Sequence, residues 1–138
     1  MVGPRALMER TLVVDDSPTM RRMVIASLRD VCEGGFTQAS SGLEAIEQLA
    51  LGPVSLMILD LNMPDMHGLE VLAFVRRHPA FKRLPVIVLT TRGDEESRAA
   101  AMAAGGSMYL TKPFEPHALA AHARTLLGGA AAERAGRP

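Results

Sequence analysis

The chain has 138 residues, enough for the hydrophobic core of one domain and too few for two. Its 48% hydrophobic and 22% charged residues are typical of a globular domain and exclude a disordered chain. Fifteen basic and fifteen acidic side chains give a net charge of zero, so no overall field favours binding to nucleic acid or to a membrane surface.

The first half of the chain predicts three strands separated by two helices. TLVVD, residues 11–15, has the composition of a buried strand, and Ser17-Pro18 provides an N-cap and a first-turn proline for the helix that follows. That helix is expected to end near residue 31. Its apolar residues recur at intervals of three and four and predict one buried stripe: Met20, Met23, Val24, Leu28 and Val31. The next segments are strand FTQAS, a helix ended by Gly52-Pro53, and the apolar strand SLMILD at residues 55–60.

The second half continues the same alternation. It predicts a helix at about 68–78, strand PVIVLT at 85–90, a helix at about 94–104, strand SMYLT at 107–111 and a last helix from about 115. Five β-α units in succession indicate an α/β fold with a parallel sheet and helices on both faces, because parallel strands need crossover connections. We expect residues 1–9 to form an N-terminal tail, 10–128 the domain, and 129–138 a flexible C-terminal tail.

Cysteine content and the N-terminus indicate where the protein works. Cys32 is the one cysteine of the sequence, so an intrachain disulfide is impossible and a reducing compartment fits best. We interpret Cys32 as a small core residue. The first ten residues, MVGPRALMER, contain no apolar run long enough for a signal peptide, and the longest apolar runs elsewhere have the length of strands. We therefore expect a cytoplasmic protein.

Polar residues follow or end four of the predicted strands. They are Asp15-Asp16, Asp60, Thr90-Thr91 and Thr111-Lys112. Ligands of open α/β sheets bind beyond the carboxyl ends of the strands, so these side chains would share one crevice if strands one, three, four and five are neighbours. Carboxylates about 4 Å apart repel each other by roughly 4 kcal/mol per pair at an effective dielectric constant near 20. A cation is therefore expected among them.

Oxygen ligands of this kind favour a hard dication. Magnesium accepts one or two carboxylates together with water and phosphate oxygens, whereas the cysteine and the four histidines show no zinc-ligand spacing. Singly, the residues also have structural interpretations: Asp15-Asp16 as helix caps, Thr90 as a β-branched strand residue and Lys112 as a solvated loop lysine. Asp60 is the strongest functional candidate, because a carboxylate that ends the most hydrophobic strand seldom serves packing.

Four segments resemble the CheY-type receiver domain of two-component response regulators: VVDDSPTMRR, ILDLNMPDMHG, VIVLTTRGD and MYLTKPF. The resemblance covers residues 10–128. It implies a flavodoxin-like (βα)5 three-layer sandwich with a five-stranded parallel sheet of order 2-1-3-4-5. It also implies a stand-alone response regulator that accepts a phosphoryl group from a histidine kinase or a histidine phosphotransfer protein and signals to a downstream target protein. Chemotaxis or motility is one setting that the resemblance suggests.

The resemblance assigns a role to each candidate residue. Asp60 would be the phosphoacceptor, Thr90 and Lys112 would hold phosphoryl oxygens, and Thr90 and Tyr109 would form the switch. Mg2+ would be held by Asp16, Asp60 and the backbone carbonyl of Asn62, with Asp15 acting through a water molecule. Met63-Pro64 and Gly68 match the turn after the acceptor strand, and a cis peptide is predicted at Lys112-Pro113 because Lys112 has to turn back toward Asp60. The partner surface would comprise the fourth helix, fifth strand and last helix.

Two positions depart from the commonest pattern of the family. Thr91 stands where a smaller Ala or Ser is usual, so its bulk could narrow access to the phosphoryl site. Arg92 occupies a position that varies in the family, and the resemblance implies that it would tune the lifetime of the phosphorylated form. The sequence therefore leaves that lifetime open, as it leaves open the cognate kinase and the choice between monomer and weak dimer.

Three other functions are conceivable for such a chain. An aspartate-nucleophile phosphohydrolase would place an acid-base Asp two residues after the nucleophile, where this chain has Asn62. A flavodoxin-like cofactor binder would need a phosphate-cradling loop after the first strand, where Asp15-Asp16 would repel a phosphate. A receiver used only as an interaction module, without phosphorylation, would not need all three aspartates Asp15, Asp16 and Asp60. We therefore expect no enzyme acting on other substrates, but a phosphoacceptor that catalyses its own phosphorylation and slow dephosphorylation. The chain could also be a fragment of a larger regulator.

Overall fold

The computed structural model describes residues 9–63 and 65–135, and for residues 129–135 their backbone alone. Strands and helices alternate through these ranges in ten elements: β1 (Arg10–Val14), α1 (Pro18–Leu28), β2 (Phe36–Ala39), α2 (Gly42–Leu51), β3 (Val54–Leu59), α3 (Gly68–Arg77), β4 (Val86–Thr90), α4 (Glu95–Ala103), β5 (Met108–Thr111) and α5 (Pro116–Ala135). The strands form one parallel sheet in the order β2-β1-β3-β4-β5. The predicted flavodoxin-like (βα)5 fold is confirmed.

Each face of the sheet is covered by its own hydrophobic core. Successive strand residues point to opposite faces, so Leu12 and Val14 contribute to one core and Val13 to the other. The first core packs α2, α3 and α4 against the sheet, and the second packs α1 and α5. Cys32 is buried in the second core, where desolvation raises the pKa of its thiol, partly offset by a hydrogen bond with Thr11. Its predicted role as a core residue is confirmed.

Two details of the helices differ from the prediction. The α1 helix ends at Leu28 and not near residue 31, because the Leu28 carbonyl accepts from the backbone N–H groups of both Val31 and Cys32 in a turn. Val24 and Leu28 form the buried stripe, whereas Met23 is 46% exposed, so its inclusion in the stripe was wrong. The apolar period of a sequence marks a stripe along a helix, and a residue at the border of that stripe, such as Met23, can still face solvent.

The ends of the chain were predicted less well than its centre. The α5 helix continues to Ala135, past the Gly128-Gly129 pair at which the ordered domain was expected to end. Flexibility of residues 129–138 stays a prediction. Residues 1–8, Pro64 and residues 136–138 lie outside the described residues, and with them most of the predicted N-terminal tail and half of the Met63-Pro64 turn. In the part of the chain that the structure describes, no helix is both long and apolar enough to cross a membrane.

Candidate functional site

Asp15 and Asp60 extend the hydrogen bonding of two adjacent strands. The Asp60 N–H donates to the Val14 carbonyl at 2.9 Å, and the Asp15 N–H donates to the Ala39 carbonyl at 3.0 Å. Both aspartates are 3% exposed, whereas the neighbouring Asp16 is exposed to solvent. One carboxylate oxygen from each of the three residues lies within 4.8 Å of the others. The predicted convergence of these carboxylates at the sheet edge is confirmed.

Lys112 supplies the positive charge that faces this cluster. Its Nζ lies 2.7 Å from Asp15 Oδ2 and 3.5 Å from Asp60 Oδ1, and its side chain is only 12% exposed. Lys112 directly follows β5, and its backbone N–H donates to the Thr90 carbonyl at 2.7 Å. The peptide bond from Lys112 to Pro113 is cis, as predicted. One lysine cannot balance three carboxylates, so the oxygen-rich cluster keeps the composition of a site for a hard dication.

The electrostatic surroundings of Asp60 disfavour its charged form. Desolvation is the main cause that raises the pKa of Asp60 above its ordinary value, and the charges of Asp15 and Asp16 act in the same direction. The backbone N–H of Asn62, which donates to Asp60 Oδ1 at 3.2 Å, and the charge of Lys112 partly offset this increase. Asp60 is therefore a poorly solvated carboxylate whose charge is stabilised only in part.

Thr90 is fully buried at the end of β4 and its hydroxyl oxygen accepts two hydrogen bonds. Asn62 Nδ2 donates to it at 3.0 Å, and the Arg92 backbone N–H donates at 3.4 Å. The Asn62 side chain thus joins the loop after β3 to β4. The Asn62 carbonyl as a metal ligand stays a prediction. Thr91 and Arg92, the next two residues after Thr90, are both exposed.

Tyr109 lies on β5, paired with Val88 of β4, and its side chain is half-buried against the core formed by α2, α3 and α4. Its hydroxyl donates a hydrogen bond to the Arg92 carbonyl in the loop after β4. Desolvation, followed by the charge of Asp94, raises the pKa of the phenol. The ring is therefore tied to the loop that directly follows the predicted switch residue Thr90. Its role in signalling stays a prediction.

Two residues that hold the site loops were missed in the sequence. Asp65 accepts from the backbone N–H groups of Gly42 and Leu43, each at 3.2 Å, and so ties the loop after β3 to the start of α2. Arg21 Nη1 donates to the Asp15 carbonyl at 2.5 Å. Both residues lie inside segments that carry the family resemblance, which is the one signal that could have directed attention to them.

Comparison with known proteins agrees with this geometry. A family model for the response regulator receiver domain matches residues 11–124. Chemotaxis protein CheY1 of Helicobacter pylori is 38% identical over 120 residues, which are 86% of this chain and 97% of that protein. The structure of chemotaxis response regulator CheY4 of Vibrio cholerae is similar with a TM-score of 0.79 and 33% identity, over 87% of this chain and 99% of that one.

A further solved structure, the Mn(2+)-bound form of response regulator Rcp1, is similar with a TM-score of 0.70 and 30% identity, over 86% of this chain and 91% of that one. The family model and the first relative each cover most of the chain, and the sheet order and acidic cluster described above are consistent with both. The chain therefore belongs to the response regulator receiver domain family.

Proposed function

We propose that the chain is a phosphoacceptor of a two-component system, in which Asp60 receives a phosphoryl group in a Mg2+-dependent reaction. The observation that carries this proposal is the convergence of Asp15, Asp16 and Asp60 opposite Lys112 at one edge of the sheet. Phosphoryl transfer needs an in-line acceptor and neutralisation of charge on the transferred oxygens, and little other covalent chemistry from the protein. This cluster contains groups suited to both tasks.

The residues present fit a magnesium ion. Asp15, Asp16, Asp60 and the Asn62 carbonyl would hold it, and oxygen ligands of this type are those that Mg2+ prefers. When bound, the ion would neutralise negative charge on phosphoryl oxygens. The Mn(2+)-bound form of the related regulator Rcp1 supports a divalent cation in a protein of this fold.

In the proposed transfer, a carboxylate oxygen of Asp60 attacks the phosphorus of a phosphohistidine on the donor protein. An oxygen–phosphorus bond forms on Asp60 and the phosphorus–nitrogen bond of the donor breaks, and the histidine leaves with the electron pair of that bond and takes up a proton. Lys112 Nζ, 3.5 Å from Asp60 Oδ1, can then bind a phosphoryl oxygen. Thr90 would supply a second hydrogen bond once its hydroxyl turns from Asn62 toward the phosphoryl group.

The acyl phosphate should persist long enough to act as a signal. The residue two positions after Asp60 is Asn62, which cannot exchange a proton with an attacking water, and its amide already donates to Thr90. We therefore propose slow self-catalysed hydrolysis and no turnover of other substrates. A phosphohydrolase would need a proton-transferring group at that position.

The proposed phosphodonor is a histidine kinase or a histidine phosphotransfer protein, and the proposed readout is a downstream target that binds the face formed by α4, β5 and α5. The relatives named for chemotaxis support a role in that process. A cytoplasmic location and a monomeric or weakly dimeric state stay predictions.

The intact mass of the protein tests this function. Incubation with acetyl phosphate and MgCl2 should add the mass of one phosphoryl group, and chelation of the metal should prevent the addition. Asp60→Asn should abolish it, whereas Asp30→Asn, which changes an exposed aspartate, should not. A phosphoryl group that is still acquired by Asp60→Asn would exclude Asp60 as the acceptor.

A further inference from the structure

We infer that Arg21 is a positioning residue of the acidic site, because it fixes the backbone that presents Asp15 and Asp16. The inference rests on the proposed function and adds to the site a side chain from α1. Arg21 would set the direction in which the carboxylates of Asp15 and Asp16 point. It would not itself contact the metal or the phosphoryl group.

The guanidinium of Arg21 joins three elements. It lies in the first turn of α1, its Nη1 donates to the Asp15 carbonyl at 2.5 Å, and its Nε donates to Oε1 of Gln38 on β2 at 2.8 Å. The planar guanidinium presents its donors in fixed directions, so two simultaneous hydrogen bonds determine its orientation. A lysine ammonium also has several donors, but they share one nitrogen on a flexible stem and do not impose these two fixed directions.

The Asp15 carbonyl belongs to the peptide group that links Asp15 to Asp16. Because a peptide group is planar, holding its carbonyl oxygen restrains the orientation of the plane that carries the Cα atoms of both Asp15 and Asp16. The Asp15 N–H is already held by the Ala39 carbonyl at 3.0 Å, and Asp15 Oδ1 accepts from the Ser17 N–H at 2.9 Å. Arg21 supplies the remaining backbone anchor, at the point where the chain turns from β1 toward α1.

The next residue, Arg22, is a matched control. It is exposed, and its Nη2 donates at 3.3 Å to the Thr19 hydroxyl on the same helix. Removing either arginine removes one positive charge from the same turn of α1. Loss of a nearby cation alone would strengthen binding of a dication, because like charges repel. Loss of a positioning residue would weaken it, so the two explanations predict opposite signs.

The test is a titration of the full chain with MgCl2, followed by amide chemical shifts. Arg21→Ala should raise the Kd for Mg2+ about tenfold, the range typical of residues that orient metal ligands. Arg22→Ala should leave the Kd at or below that of the parent. Arg21→Lys should also weaken binding although it keeps the charge, and Gln38→Ala should have an intermediate effect because Arg21 then keeps one anchor.

A metal-free measurement provides a second readout. Amide hydrogen exchange at Asp15, Asp16 and Ser17 should be faster in Arg21→Ala than in the parent and unchanged in Arg22→Ala. Mg2+ binding by Arg21→Ala as tight as that of the parent, or tighter, would overturn the inference while leaving the proposed function intact. Absence of Mg2+ binding by the parent would instead overturn the proposed function. Should Arg21→Ala not fold, Gln38→Ala decides: weaker binding supports the inference and unchanged binding refutes it.

Discussion

The side chain of Asn62 donates a hydrogen bond from Nδ2 to the hydroxyl oxygen of Thr90 at 3.0 Å. Asn62 lies two residues after Asp60, and Thr90 ends the neighbouring strand β4. This hydrogen bond therefore restrains the hydroxyl of Thr90, the predicted switch residue, and the restraint comes from the loop that follows Asp60. A phosphoryl group on Asp60 would accept from the Thr90 hydroxyl, and movement of the side chain toward it would lengthen the hydrogen bond from Asn62.

Removing this hydrogen bond should shift the conformational equilibrium of the unphosphorylated protein toward the phosphorylated conformation. In Asn62→Ala the backbone carbonyl remains for the metal, so we expect Mg2+ affinity close to that of the parent. The Thr90 hydroxyl loses its side-chain partner, so amide chemical shifts in α4 should move partway toward their phosphorylated values before phosphorylation. Thr91→Ser, a change at the exposed neighbouring residue, should leave the α4 shifts of the unphosphorylated protein unaltered. Identical α4 shifts in Asn62→Ala and parent would contradict this role of the bond.

The raised pKa of Asp60 predicts how stability depends on pH. Burial makes the folded state hold this proton more tightly than the unfolded chain does. At low pH Asp60 is protonated in both states; as pH rises past about 4, the unfolded chain releases its proton first and the free energy of unfolding falls. Without divalent cations, Asp60→Asn should therefore be more stable than the parent at pH 7.

Urea denaturation over a pH series measures this effect. The stability advantage of Asp60→Asn should be greatest at neutral pH and should vanish near pH 3, and Mg2+ should stabilise the parent more than the variant. An advantage that is independent of pH would mean that the charge of Asp60 is not its cause.

Gly68 is predicted to be essential for the close approach of α3 to the acceptor strand. A Cβ atom at this position would lie 2.6 Å from Leu61 Cα and 2.7 Å from the Asp60 carbonyl oxygen, and neither backbone atom can move away by a side-chain rotation. Gly68→Ala should lower the free energy of unfolding by about 1–3 kcal/mol, as overpacking does.

Gly128→Ala is the control for this substitution. A Cβ at Gly128 would meet no atom within 4 Å, and the residue lies within α5. Alanine there should raise the free energy of unfolding by about 0.5–1 kcal/mol, because glycine is costly in a helix. Equal effects of the two substitutions on the urea midpoint would refute the steric argument.

Tyr109 should couple the phosphorylation site to the partner surface. The α4 helix buries Ala101 and presents few large apolar groups to the sheet, so its displacement costs little hydrophobic burial. Movement of the Thr90 hydroxyl toward phosphorylated Asp60 would open space for the Tyr109 ring, whose hydroxyl in this structure donates to the Arg92 carbonyl.

Tyr109→Ala should leave phosphorylation of Asp60 nearly intact and weaken phosphorylation-dependent binding of the partner. Tyr109→Phe loses only the hydrogen bond to Arg92, so its ring should populate the inward position more often than the parent's in NMR spectra. Unchanged partner binding by Tyr109→Ala, or α4 amides that do not respond to phosphorylation, would require another route of coupling.

Arg76 forms hydrogen bonds with the backbone just beyond the C-terminal end of α4. Its guanidinium donates twice to the Gly105 carbonyl, at 2.7 and 3.0 Å, and also to the carbonyls of Phe81 and Lys82. Arg76→Met removes both side-chain donors from the Gly105 carbonyl, in a partly buried contact, and should lower the free energy of unfolding by about 1–3 kcal/mol. Arg77→Met, at the exposed neighbouring position, should change it little. Similar urea midpoints for the two variants would show that the contacts contribute nothing.

The sequence by itself determined the order and type of the elements and the residues at the strand ends. These depend on local signals: the period of apolar residues, the Ser17-Pro18 start of α1 and the Gly52-Pro53 stop of α2. The candidate site followed from them, since parallel strands place their carboxyl ends at one edge of the sheet. The order of the strands came from the family resemblance, because pairing of distant segments leaves no periodic trace in the sequence.

Only the tertiary structure decided which side chains meet. It placed Lys112 nearer to Asp15 than to Asp60, across 97 positions of sequence, and it distinguished Arg21 from the identical residue beside it. It also showed that Met23 faces solvent although the apolar period included it. Such contacts depend on helix rotation and on side-chain directions over the sheet, which are set by packing of the whole core and not by any local segment.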